Sequence, residues 1–207
     1  MNHFKILKYV LVLLSSYLLM GMCWAQGING NQQLTQLLSS YQSYQANFTQ
    51  TTSDQRGKVL QKSSGTVKIL RPGRFRWETL RPNHQLIIAN GNTLWVYDVS
   101  LAQASKQKLQ QQRLSPAVLL SSSISQLSKQ FTVRVAQDNW YELISKRKND
   151  SFPFIRLHFQ NNRLVALQMI NALGQTNNFY FSNIEINQRL ANSWFQFSPP
   201  RGVDVLG

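Results

Sequence analysis

The chain has 207 residues, with 22 Lys and Arg against 8 Asp and Glu, a formal net charge of +14 and a single cysteine. One cysteine excludes an internal disulfide framework, and eight acidic residues with three histidines offer little material for a metal centre or an acid–base pair. The cationic surplus steers anionic partners in a salt-sensitive way, yet the basic residues are scattered without a dense run or a nucleic-acid motif, so nucleic acid is not an expected partner.

The first segment carries Lys5 and Lys8, a largely apolar run from Tyr9 to Met22, and then Cys23-Trp24-Ala25. That is the layout of a secretory signal, with cleavage expected after Ala25. The run is shorter than the roughly 20 apolar residues of a membrane span, so export without stable membrane insertion is expected. A second reading makes Cys23 an acylated first residue, but that chemistry wants a small residue just before the cysteine. Met22 stands there, and Gly21 lies one place too early. Residues 26–207 would form a single domain, large enough for a sizeable core.

From Asn31 to Tyr44 the apolar residues Leu34, Leu37, Leu38, Tyr41 and Tyr44 fall on one face of a helix. Short β-branched and aromatic segments follow at Phe48 to Thr52, Gly65 to Leu70, Arg74 to Leu80, Gln85 to Ala89 and Thr93 to Asp98. Asn90-Gly91-Asn92 predicts a hairpin between the last two. Ser115 and Pro116 read as the cap and first residue of a second helix running through Leu119, Leu120, Ile124 and Leu127. Strands resume at Phe131 to Ala136, Trp140 to Lys146, Phe154 to Phe159, Leu164 to Ile170, Asn178 to Ile186 and Trp194 to Phe197. The fold class is mainly β (α+β), with about eleven antiparallel strands interrupted by helices. A sheet that long curls, and its concave side is where the apolar helix stripes can be buried.

No His/Cys/carboxylate spacing suits a metal, and no nucleophile elbow or phosphate-cradling glycine loop is present. Neither an enzyme nor a cofactor is expected. In the run Arg71-Pro72-Gly73-Arg74-Phe75-Arg76-Trp77, strand alternation puts Phe75, Trp77 and Thr79 on one face and Arg74, Arg76 and Glu78 on the other. Such one-sided aromatic surface suits binding of an apolar ligand.

That run resembles the outer-membrane lipoprotein carrier (LolA) family. So do Gly91-Asn92-Thr93-Leu94-Trp95-Val96-Tyr97-Asp98, Phe48-Thr49-Gln50, Ser115-Pro116-Ala117, Leu173-Gly174-Gln175 and Phe197-Ser198-Pro199-Pro200-Arg201-Gly202-Val203-Asp204-Val205. The resemblance implies an unclosed β-barrel with a helical lid over an apolar cavity. Arg71 would latch the lid. Phe75, Trp77, Leu86, Ile88 and Trp95 would line the acyl-chain cavity, and Leu34, Leu37, Leu38, Leu119 and Leu120 would lie on the lid. It further implies a monomeric periplasmic carrier whose partners are acylated lipoproteins as cargo, an inner-membrane ABC-type exporter resembling LolCDE, and an outer-membrane acceptor resembling LolB. Three alternatives stay open: a LolB-like receptor, which would need acylated Cys23, a general periplasmic lipid-binding or sensor module, and a basic exported adhesin or nucleic-acid binder.

Overall fold

The computed structural model describes residues 29–109, 115–122, 124–148 and 150–206, and the expected signal with Cys23 lies outside them. In chain order the elements are helix α1 (Gly30–Ser39), strands β1 (Ser43–Ser53), β2 (Val59–Leu70), β3 (Arg74–Arg81), β4 (Gln85–Asn90), β5 (Thr93–Asp98) and β6 (Gln103–Lys108). Helices α2 (Pro116–Ser121) and α3 (Ile124–Gln130) follow. Strands β7 (Phe131–Val135), β8 (Trp140–Ser145), β9 (Phe154–Gln160), β10 (Arg163–Ile170) and β11 (Thr176–Ile186) come next. A 3-10 turn (Asn192–Phe195) and strand β12 (Asp204–Leu206) complete the order.

All twelve strands belong to one sheet in the order β12-β6-β5-β4-β3-β2-β1-β11-β10-β9-β8-β7. Every pairing is antiparallel except β12 on β6, which is parallel. The two edge strands do not pair with each other, so the barrel is unclosed. Its curl can be read from a single cavity lined by both Ile87 on β4 and Met169 on β10. Those strands are five places apart in the order, or about 24 Å in a flat sheet. Residues that distant meet only if the sheet wraps round them.

One cluster fills the concave side. It joins Leu34 and Leu38 of α1, Leu119 and Leu120 of α2 and Leu127 of α3 to Phe48, Phe75, Trp77, Leu143, Ile155, Leu157 and Phe179 of the strands. Gly65 lets β2 and β3 close tightly where their register shifts between Ser64 and Gly65, because a Cβ there would come within 1.9 Å of the Glu78 carbonyl oxygen.

Several predicted boundaries move. The first helix ends at Ser39 instead of running to Tyr44. The Ser39 and Ser40 hydroxyls donate to the Gln36 and Leu37 carbonyls, an alternative to further helical bonding, and Tyr44 becomes a strand residue. The second predicted helix is two, because Ser122 turns extended with ψ 154° after α2. Two strands were not predicted. Strand β6 is a polar run, Gln103–Lys108, with only Ala104 buried; pairing with β5 holds it. Strand β12 has three exposed residues. The predicted strand from Trp194 to Phe197 is instead a 3-10 turn passing into extended chain, with the Trp194 N–H donating to the Ala191 carbonyl and that of Gln196 to Ser193.

Candidate functional site

Helices of ten, six and seven residues are below the length at which a helix is stable alone in water, about 12–15 residues. The three covering helices are therefore held by what they pack on. Leu34, Leu38, Leu119 and Leu120 are all nearly or fully buried in the concave cluster. Leu37 sits apart, half-buried on the flank. There it lines a separate groove of about 440 Å³ with Gln33, Gln36, Tyr141, Asn161 and Asn162.

Arg71 ties two of these helices together. It lies in the turn between β2 and β3, and its Nε donates to the Leu120 carbonyl oxygen at 3.0 Å. Its Nη1 donates to the Leu38 carbonyl oxygen. Both acceptors lie in the last turn of a helix, where carbonyls lack an intrahelical partner and carry the negative end of the helix dipole. Neither α1 nor α2 has a basic residue in its own last turn, so one guanidinium from the sheet serves both. The neighbouring Gly73 N–H donates to the Ser121 carbonyl at 3.1 Å. The guanidinium also lies 5.2 Å from the centre of the Tyr41 ring, within cation–π range.

Burial draws the Arg71 pKa below its ordinary value, with Tyr41 acting the other way, yet an arginine stays charged in a protein. Burial pushes the Tyr41 hydroxyl up to about 12, with Arg71 opposing, and that hydroxyl is buried without a hydrogen-bond partner. Burial likewise raises Tyr44, whose hydroxyl donates to the Leu164 carbonyl at 2.9 Å.

Strand register decides which predicted cavity residues share a face. Phe75 pairs with Ala89, and Trp77 with Ile87; both aromatics point to the concave side with Phe48 and Phe179, where the Phe48 and Trp77 rings lie 4.5 Å apart. Leu86, Ile88 and Trp95 do not belong with them. Ile88 pairs with Arg76, Leu86 with Glu78 and Trp95 with Ile88, which puts all three on the convex side. The apolar run Leu86-Ile87-Ile88-Ala89 lacks the alternation that would have revealed this, as strands covered on both faces do.

What covers that convex side was not foreseen either. The segment after β11 crosses β3 and β4 with the buried Phe195. Phe197 lies 5.4 Å from both Trp95 and Tyr97, and Trp194 receives Lys68 and Arg76 over its ring. Arg76 also pairs with Glu78 at 3.1 Å, and His84 reaches the other Glu78 oxygen at 2.9 Å. Burial alone would raise Glu78, but the hydrogen bonds and charges of these two partners hold its carboxyl below the usual carboxylate value.

Beneath the N-terminal end of α2 the concave cluster leaves a cavity of about 240 Å³, lined by Trp77, Ile87, Ala117, Phe152, Met169 and Phe179 together with polar residues. It is smaller than the roughly 300–1,000 Å³ of a small-molecule site. Leu34, Leu38, Leu119 and Leu120 of the covering helices pack into the concave cluster beside it.

Among the described residues no three His, Cys, Asp or Glu side chains come together as a metal site, and no helix is long and apolar enough to cross a membrane. The solved structure of an uncharacterized conserved protein from Thermus thermophilus has the same fold, with TM-score 0.57 and 13% identity over 84% of this chain and 97% of that one. An outer-membrane lipoprotein carrier protein of Coxiella burnetii is 43% identical over 97% of this chain and 98% of its own length. One of Pseudomonas aeruginosa is 39% identical over 84% and 86%. The family profile described as outer membrane lipoprotein carrier protein LolA matches residues 39–198, and the chain belongs to that family.

Proposed function

We propose that this protein is a periplasmic carrier, which takes lipoproteins from an inner-membrane ABC-type exporter and passes them to an outer-membrane acceptor, with the acyl chains sheltered on the concave face. The observation that carries the proposal is the cover of that face: short helices filling it with leucines, fastened at one end by a single arginine. At roughly 0.8 kcal/mol per buried methylene, moving two or three acyl chains into water costs tens of kcal/mol. Crossing an aqueous gap therefore needs a vessel, and unloading needs direct delivery to another apolar site.

Closed, the lid leucines occupy the face in place of cargo, so loading exchanges one apolar contact for another and the net affinity stays moderate. The Arg71 hydrogen bonds, each worth about 1.5–3 kcal/mol for a charged donor, favour the closed empty form. They thereby help expel cargo. Arg71→Leu should fold and accept lipoprotein but transfer it onward several-fold more slowly in a purified donor–acceptor assay. Transfer at the unmodified rate would remove Arg71 from the release step.

A further inference from the structure

The concave face is graded along its strands. Its residues on β1 run Tyr44, Ala46, Phe48, Gln50, Thr52, and on β3 Phe75, Trp77, Thr79. On β11 Phe181 and Phe179 give way to Asn177, and on β4 Ala89 and Ile87 to Gln85. The apolar end lies by Arg71, and the opposite end is a ledge of amides and hydroxyls. Gln50 Nε2 donates to the Asn177 Oδ1 at 3.1 Å and to the Thr52 hydroxyl at 3.2 Å, and that hydroxyl donates to Asn177 at 2.8 Å. With Thr79, Gln85 and Ser115, Gln50 and Asn177 form the polar part of the 240 Å³ cavity wall, in which none of the described side chains is ionisable. Asp98 is the acid nearest in register, opposite Gln85, and its carboxylate accepts the Ser100 and Leu101 N–H groups of its own turn.

In a chain carrying 22 basic residues, a wall at the end of the apolar face whose described side chains are all uncharged selects between ligands. Amides and hydroxyls match neutral ester and amide groups, whereas an anion drawn into a partly buried site without a counter-charge is strongly disfavoured. We propose that this ledge is the headgroup seat of the cavity. It holds the neutral ester and amide junction where acyl chains join a polypeptide, with the chains running toward Phe75 and Arg71, and it turns away diacyl lipids that carry a phosphate. The inference rests on the carrier reading above and adds the orientation and selectivity of its ligand.

The test compares two soluble probes with identical chains, dioctanoylglycerol and dioctanoylphosphatidylglycerol, alongside an uncharged triacylated lipopeptide, with binding followed by tryptophan fluorescence and confirmed by calorimetry. Unmodified protein should bind the lipopeptide and prefer the neutral diacyl probe by about tenfold or more. Gln50→Lys and Gln85→Lys, on strands three places apart in the sheet and both only half-buried, should each move the preference toward the phosphate lipid by about tenfold. Thr49→Lys, on the exposed convex face, should not, and melting curves would establish that all three variants fold. Equal binding of the two diacyl probes, an unmoved preference in both ledge variants, or an equal shift in Thr49→Lys would overturn the headgroup seat while leaving the carrier reading intact. Failure to bind even the lipopeptide would overturn both.

Discussion

The two faces of this sheet are both apolar over β4 and β5 and both covered, but by different means. On the convex side Phe195, Trp194 and Phe197 come from a segment that continues into β12, where the Asp204 N–H bonds to the Ala102 carbonyl and three residues pair with β6. That cover is part of the sheet. On the concave side the cover consists of helices too short to stand alone, joined to the β2–β3 turn by Arg71 and Gly73. Similar residue types thus cover one face as part of the sheet and, in the carrier proposed above, the other as a filling exchanged for cargo. The difference lies in backbone attachment, and hydrophobicity does not reveal it.

The largest expected effect comes from placing a charge under the helical cover. Phe75→Glu deletes a fully buried ring, a loss of about 3–5 kcal/mol for Phe→Ala alone, and adds an unpaired carboxylate. Its denaturant midpoint should fall sharply and cargo loading should be abolished; normal pickup would place Phe75 off the ligand path. Phe195→Ala, in the convex cover, should cost about 3 kcal/mol of global stability with lipopeptide affinity unchanged within about twofold. A loss of affinity matching the loss of stability would mean that the two faces are coupled.

A smaller effect is expected at high pH. Tyr41 is raised from 10.0 to about 12 by burial, so the folded state keeps a proton that the unfolded chain gives up near pH 10. Stability should be complete below about pH 10 and decline as pH rises through about 12. Phenolate absorbance should show Tyr41 and Tyr44 ionising together with unfolding, whereas Tyr41→Phe should unfold at higher pH. Ionisation of Tyr41 well before any loss of structure would show that the lid opens freely by itself.

Much of this was legible in the residues. Phe75 and Trp77 alternate with Arg74 and Arg76, so their shared face could be read directly, and Ser115-Pro116 marked the start of α2 with the Val118 N–H donating to Ser115 Oγ. Leu86, Ile88 and Trp95 could not be placed, because apolar neighbours on both faces of β4 hide the alternation and only cross-strand register resolves it. Strand β6 offered no hydrophobic signal at all. The ledge of Gln50, Gln85 and Asn177 is assembled from three strands distant in sequence, so no local pattern announces it. Arg71 stood out through the family resemblance, whereas its two carbonyl partners required knowing where α1 and α2 end.

Trp77 is the one tryptophan on the concave face among the described residues; Trp95, Trp140 and Trp194 lie on the convex side. Quenching by a lipopeptide with brominated acyl chains therefore reports directly on which face shelters lipid. In single-tryptophan variants, the protein retaining Trp77 should be strongly quenched and the one retaining Trp95 should not. Quenching of Trp95 with Trp77 untouched would contradict a carrier whose lid vacates the concave face for its cargo.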